Sequence, residues 1–218
     1  MTREHVLQAI HRATGGPVAE GTVGAGTGTI CYGWKGGIGT SSRRLAGSGY
    51  TVGVLAQTNF GGNLTIAGVP IFTLLQPPVR RAARGEAAGP AVSRPDGRAS
   101  ADGSCMLVVA TDAPLDARDL GRLAARAVFG LGRTGSSYSN GSGDFAIAFS
   151  TSPEMRSRFN DAAPRARTIL PAEATSPLFE AALEATEEAG TTRSSRRRPC
   201  DPRTARPTQF RSTASASS

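Results

Sequence analysis

From Pro77 to Asp102 (PPVRRAARGEAAGPAVSRPDGRASAD) the chain loses every apolar period, and at Gly103-Ser104 it passes abruptly into Cys105-Met106-Leu107-Val108-Val109-Ala110-Thr111. The first stretch is rich in Pro, Ala, Gly and Arg, the composition of an exposed, mobile loop. The second is a short apolar run stopped by Asp112-Ala113-Pro114, the pattern of a buried strand. Any fold for this chain must seat a loop at the mouth of a core strand and bring a Gly-Ser pair to that strand's first position. The junction separates residues 1–103 from residues 104–189. A third segment, 190–218, differs from both.

That third segment carries seven arginines against the single acid Asp201, a net +6 of the chain's +8, which leaves +2 for residues 1–189. The body is nearly neutral, so no specific nucleic-acid face is expected, and the tail reads as solvated and disordered. Cys31, Cys105 and Cys200 are odd in number and far apart, unlike a disulfide framework or a zinc site. The start, MTREHVLQAIHRATGG, is too polar for a signal peptide, and no run approaches the ~20 apolar residues of a membrane helix. The expectation is a cytoplasmic chain with no membrane partner. At 218 residues it is long enough to bury a core.

Along the body, Val6, Leu7, Ile10 and Ala13 predict a helix over 3–13, stopped by Gly15-Gly16-Pro17. Eight glycines between Gly21 and Gly39 imply close backbone approach. A strand is expected from Tyr50 to Gln57, a turn at Asn59–Gly62 and a second strand from Leu64 to Leu75. The segment DARDLGRLAARAVFG predicts a helix with Leu120, Leu123, Ala124, Ala127 and Val128 on one face and Gly130 as its cap. A strand from Phe145 to Thr151 follows, then a helix begun by Ser176-Pro177 and running to about Ala189. Helices alternating with short buried strands indicate an α+β or layered α/β fold.

GAGTG at 24–28 fails as a dinucleotide fingerprint on spacing and context, and no phosphate loop is present. His5 and His11 lack the partners of a metal site or a triad. A serine nucleophile without histidine needs another base, and the α-amine of a serine that has become a chain terminus can serve. Its ordinary pKa of about 7.7–8.0 leaves a useful neutral fraction near pH 7. Glycine before the serine presents an unhindered carbonyl to the hydroxyl. Tyr32, Trp34 and Phe60 are expected to pack in the core, Asp112 to fix a turn, and Lys35, the chain's single lysine, to be solvated.

The strings EGTVGAGTGTICYGWKGGIGTSSR, YTVGVLAQTNFG, GSCMLVVATDAPL and GRTGSSYSNGSGDFAIAFSTS occur in this order. Together they resemble the L-aminopeptidase/D-esterase (DmpA-like) family, which includes the β-peptidyl aminopeptidases, over roughly residues 4–76 and 103–189. The resemblance implies an αββα four-layer sandwich, made from a precursor that cuts itself into a larger α and a smaller β chain and assembles as a homo-oligomer, usually a tetramer. It makes Gly103-Ser104 the self-cleavage bond and Ser104 the nucleophile. Asn59 becomes the oxyanion donor, and Ser142 and Asp144 become the groups that hold the new amine and the Ser104 hydroxyl. Short peptides, amides or esters are the implied substrates, with no cofactor and no metal.

The chain also departs from the family. A substantial segment that in the family precedes the region matching residues 1–20 is expected to be missing, with the aromatic hydroxyl it supplies, and the resemblance stops near Ala189. The fold is therefore expected to lack N-terminal and C-terminal parts, and the tail to be an out-of-frame reading. An inactive truncated homologue, or an acyl transferase of the ornithine acetyltransferase type, stands as the alternative. The transferases normally cut before threonine, which speaks against them here.

Overall fold

A computed structural model describes residues 2–78, 103–160 and 162–195. The loop expected over 77–102 lies almost wholly outside these residues, as does the tail past Ser195. Among the described residues there are six strands: β1 (Ile30–Cys31), β2 (Trp34–Lys35), β3 (Gly37–Arg44), β4 (Thr51–Asn59), β5 (Ser104–Thr111) and β6 (Gly143–Ser150). The α-helices described are α1 (Arg3–His11), the single turn α2 (Ile71–Leu74), α3 (Ala117–Arg133) and α4 (Ser176–Ser195). The class is α+β, as expected.

β3 to β6 form one sheet in sequence order, antiparallel except for the parallel β5–β6 pair. A parallel pair needs a crossover connection, and α3 supplies it. Strict alternation along β4 buries Val52, Val54, Ala56 and Thr58 on one face, and β5 buries Cys105, Leu107, Val109 and Thr111 on the same face. There they meet Leu123, Ala127 and Leu131 of α3 and Leu178, Ala181, Ala182, Ala185 and Ala189 of α4. α3 lies over β5 and β6, α4 lies over β3 and β4, and the two helices pack on each other. The alanine stripe of α4 brings its backbone so near the sheet that a methyl group on Gly39 would overlap the Ala189 carbonyl oxygen.

The structure differs from the sequence reading, or adds to it, at four places. β3 (GIGTSSRR) shows no apolar alternation in its sequence and is a full strand. Leu64–Leu75 is not a strand. Asn63 and Thr65 donate to the Gly135 and Thr134 carbonyls at 2.9 Å each, Ile66 and Val69 close a turn with Ala67 at φ +48°, and α2 follows. Gly130 does not end α3. It is buried within the helix, where an added methyl would stand 2.8 Å from Thr186 Cβ of α4, so glycine serves the helix crossing and Thr134 is the C-cap. Finally, Ser176 is already helical and α4 continues through Gly190 to Ser195. The expected helix over 3–13 forms as α1, with Thr2 N–H donating to His5 Nδ1 at 3.0 Å, so His5 serves as a cap.

The other sheet face carries no layer among the described residues. Met106, Phe145, Ile147 and Phe149 line up there, with Phe145 and Ile147 more than 60% exposed. A contiguous apolar strand face of this kind drives association. Replacing Phe145 and Ile147 together by serine is expected to lower self-association at micromolar concentration, with the circular dichroism of the fold retained. Sedimentation velocity measures it.

Candidate active site

Three strand ends converge at one edge of the sheet. Asn59, the last residue of β4, pairs with Ser104, the first of β5, which pairs in turn with Gly143, the first of β6. Directly paired strand residues have Cα atoms about 4.5–5.5 Å apart and project to the same face. Alternation buries Cys105, Leu107 and Val109 against the helices, so it sends Ser104 to the opposite, exposed face. The nucleophile candidate is thus an accessible side chain on a strand held firmly by its alternate residues.

The neighbours of Ser104 are ordered by backbone as much as by side chain. Gly143 N–H donates to Ser104 Oγ at 3.3 Å. Asp144 Oδ1 accepts the Cys105 N–H at 3.1 Å, and Asp144 Oδ2 accepts the Ser142 hydroxyl at 3.0 Å. Both carboxylate oxygens are therefore engaged, one on the nucleophile's own strand. Asn59 Oδ1 accepts the Ile30 N–H at 3.1 Å, and a backbone N–H can donate only to the carboxamide oxygen. The orientation of the Asn59 amide follows, and only Nδ2 is left to donate.

Gly103 is buried against the end of β4, where a methyl group in its place would overlap the Asn59 carbonyl oxygen and Phe60 Cα. The peptide before the serine thus sits tight on the strand that carries Asn59. Behind it, Tyr32 stacks edge-on against Phe60 at 5.1 Å between centroids, and Tyr32 N–H donates to the Phe60 carbonyl at 2.9 Å. The Tyr32 hydroxyl bonds Thr134 Oγ1. Tyr32 and Phe60 are core residues, as expected, and Trp34 packs on their margin. Asp112 Oδ1 accepts the Thr51 N–H at 2.7 Å, which ties the end of β5 to the start of β4.

The structure places Asn59, Gly103, Ser104, Ser142 and Asp144 together. The donors at Gly143, Cys105 and Ile30 went unseen in the sequence, because a backbone N–H leaves no side-chain signature. Lys35 is exposed, in line with the expectation, and its ammonium in addition donates to the Thr29 and Gly26 carbonyls at 2.7 and 3.2 Å.

Two thiols lie beneath this edge. Burial pushes the Cys31 thiol from its ordinary 9.0 up to about 12, against the opposing effect of a Thr58 hydrogen bond. Burial raises Cys105 as well. Each stays protonated in the fold at pH values where an unfolded chain would ionise it. These thiols accordingly leave stability unchanged below pH 9 and lower it progressively as the pH rises from 9 to about 12. In a Cys200→Ser background, an aromatic disulfide reagent at pH 8 is expected to label neither thiol until denaturant is added.

A strand-end serine thus lies between a carboxamide and a Ser–Asp pair, and the comparisons give the family of the chain. Residues 1–192 match peptidase family S58, and the chain belongs to that family. It is 45% identical over 190 residues to the beta-peptidyl aminopeptidase BapA of Sphingosinicella microcystinivorans, an alignment covering 85% of this chain and 47% of the relative. Among solved structures it resembles a beta-aminopeptidase of Burkholderia sp., at TM-score 0.69 and 38% identity, covering 87% of this chain and 50% of that one. It likewise resembles the L-aminopeptidase D-Ala-esterase/amidase of Ochrobactrum anthropi, described as a variant of the Ntn hydrolase fold. That match has TM-score 0.69 and 37% identity, covering 87% of this chain and 48% of that one. The chain spans about half the length of these relatives. Among the described residues no helix is long and apolar enough to cross a membrane.

Proposed function

We propose that this chain carries the catalytic edge of a serine aminopeptidase of the N-terminal-nucleophile type, acting on short peptides, amides or esters after cutting itself between Gly103 and Ser104. The observation that supports this most is the row Asn59–Ser104–Gly143, with Gly103 seated against β4 and the Ser142–Asp144 pair bonded to the backbone next to Ser104.

In the first step Ser104 Oγ attacks the Gly103 carbonyl. The C–Oγ bond forms, the Gly103–Ser104 C–N bond breaks, and the hydroxyl proton ends on the departing amine. Water then adds across the ester, leaving Gly103 as a carboxylate and Ser104 with a free α-amine. In turnover that amine takes the proton from Oγ as Oγ attacks the substrate carbonyl, then delivers it to the leaving amine. Asn59 Nδ2 and backbone N–H groups hold the oxyanion. Asp144 and Ser142 orient the amine, and water releases the acyl group from Ser104. Homo-oligomeric assembly belongs to the same proposal through the family resemblance.

The purified chain tests it by intact mass and by hydrolysis of aminoacyl p-nitroanilides with α-, β- and D-residues, beside their N-acetylated forms. Two fragments meeting at Gly103/Ser104, with release only from free N-termini, are expected. One uncut mass without release would leave family ancestry and remove the activity.

A further inference from the structure

The glycine-rich block around Asn59 is built more tightly than a loop requires. Gly21 and Ile38 exchange both backbone hydrogen bonds, at 2.8 and 3.0 Å. Gly26 is buried, and a methyl group there would stand 2.9 Å from Gly37 Cα. From this base the chain turns through Gly24–Gly28 and enters the two-residue ribbon β1–β2, in which Ile30 lies directly opposite Lys35.

One peptide unit in this ribbon is gripped from both sides. The Thr29 carbonyl accepts from Lys35 Nζ at 2.7 Å and from Gly36 N–H at 3.0 Å. The other end of the same peptide is the Ile30 N–H, which donates to Asn59 Oδ1 at 3.1 Å. A cation on a carbonyl oxygen polarises its peptide and makes the attached N–H a stronger donor, and charge-assisted bonds are roughly twice as strong as neutral ones. The same polarisation continues through the carboxamide: an oxygen that accepts a stronger bond leaves its Nδ2–H groups better donors. Lys35 also holds the Gly26 carbonyl in the middle of the 3-10 turn, which ties the peptide to the loop.

We propose, building on the aminopeptidase reading of the site, that Lys35 is a positioning residue for Asn59. Its ammonium acts through the Thr29–Ile30 peptide to fix the orientation and raise the donor strength of the Asn59 carboxamide. In this reading the lysine acts through that peptide and not on the reacting atoms. Its effect falls on the transition state, where charge develops on the carbonyl oxygen, and leaves ground-state binding alone.

Three variants, Lys35→Met, Lys35→Arg and Asn59→Ala, with the double variant Lys35→Met/Asn59→Ala, test this at two levels. The first is independent of activity. In ¹⁵N-labelled full-length chain, the Asn59 side-chain amide pair is assigned by its loss in Asn59→Ala, and the Ile30 amide by its exchange rate. Lys35→Met is expected to move the Asn59 pair toward free-amide positions and to speed Ile30 exchange about tenfold or more, with the β4 and β5 amides unmoved. Lys35→Arg should restore most of both. An Asn59 pair and an Ile30 amide unchanged in Lys35→Met would overturn the proposal.

The second level is kinetic. Lys35→Met is expected to lower kcat on the order of tenfold with KM unchanged, less than the roughly 10²–10³-fold cost of removing an oxyanion donor outright. In the Asn59→Ala background the Lys35→Met change should add nothing, since its route is gone. Full additivity of the two losses would also overturn the proposal. A wild-type chain that neither cuts itself nor turns over would remove the proposed function instead, and the amide measurements would still decide the role of Lys35.

Discussion

Replacing Ser104 by alanine is expected to leave a chain of a single uncut mass, with no release of residues from free-amine substrates and with native circular dichroism. Both halves of that outcome follow from the position of the residue. Ser104 is exposed at the first position of β5, and its side chain meets one neighbouring backbone N–H across the ladder and none of the core. Removing an exposed hydroxyl changes stability by no more than about 0.5 kcal/mol. In the proposed mechanism the same oxygen is asked to do two things, to open the Gly103 peptide and then to carry the acyl group. No neighbouring serine can replace it, because Ser142 is committed to Asp144. The loss should therefore be on the order of 10⁴-fold or more in rate, the scale seen when a nucleophile is deleted from an otherwise intact hydrolase site. Ser104→Cys supplies the internal control: a thiol in the same place is still a nucleophile, and slow cutting at the same bond is expected. An intact-mass time course reads all three chains together. Cutting in Ser104→Ala at the native rate would mean that another group, or a contaminating protease, opens the chain.

The parts of the fold that were legible in the sequence are those in which side chains alone decide the structure. β4 announces itself because Val52, Val54 and Ala56 alternate with half-buried residues, and α3 because its apolar stripe recurs at helical spacing on the sheet. β3 was invisible because what makes it a strand is its partners. Gly37 fits against Gly21 and Gly39 against the Ala189 carbonyl, and neither contact leaves an apolar pattern. Leu64–Leu75 misled for the opposite reason. Its residues are apolar, but their backbone groups are satisfied by residues 134–135 and by a local turn. Gly130 looked like a cap because glycine has two uses in a helix, and only the neighbouring Thr186 says which applies.

The site divides along the same line. Asn59, Ser104, Ser142 and Asp144 could be named from the order of motifs, since each is a side chain carried by a quoted string. What the sequence could not show is how they are held. The Asn59 carboxamide is oriented by Ile30 N–H, Ser104 Oγ receives Gly143 N–H, and Asp144 receives Cys105 N–H. All three donors are main-chain groups whose direction depends on strand register. The contacts of Lys35 leave no sequence signature for the same reason, since the Thr29 and Gly26 carbonyls it meets are main-chain groups.

Gly103→Val is expected to abolish self-cleavage almost as fully as Ser104→Ala, although every proposed catalytic side chain remains. The argument rests on what surrounds the residue. A Cβ at 103 would meet the Asn59 carbonyl oxygen and Phe60 Cα, both backbone, so no side chain can swing aside to admit it. Nor can that backbone retreat. Asn59 is paired to Ser104 in the ladder, and the Phe60 carbonyl is tied to Tyr32 N–H at 2.9 Å. The strain must therefore be relieved by lifting residue 103 off β4, which carries its carbonyl away from Ser104 Oγ. A displacement of about 1 Å at a reacting centre costs roughly 10²-fold in rate, and a branched side chain demands more movement than that. The overpacking should also cost about 1–3 kcal/mol in the uncut chain, seen as a lower denaturant midpoint. Alanine at the same position should be intermediate in both measures. Supplying the two segments as separate chains that meet at this bond distinguishes geometry from general damage, because a free carboxylate at residue 103 can leave the groove. In that pre-cut form Gly103→Val should recover most of the hydrolysis of free-amine substrates. If it does not, the residue is needed for more than presenting its own peptide to Ser104. If the intact variant cuts at the native rate, the peptide that is cut does not lie where Gly103 lies in this fold.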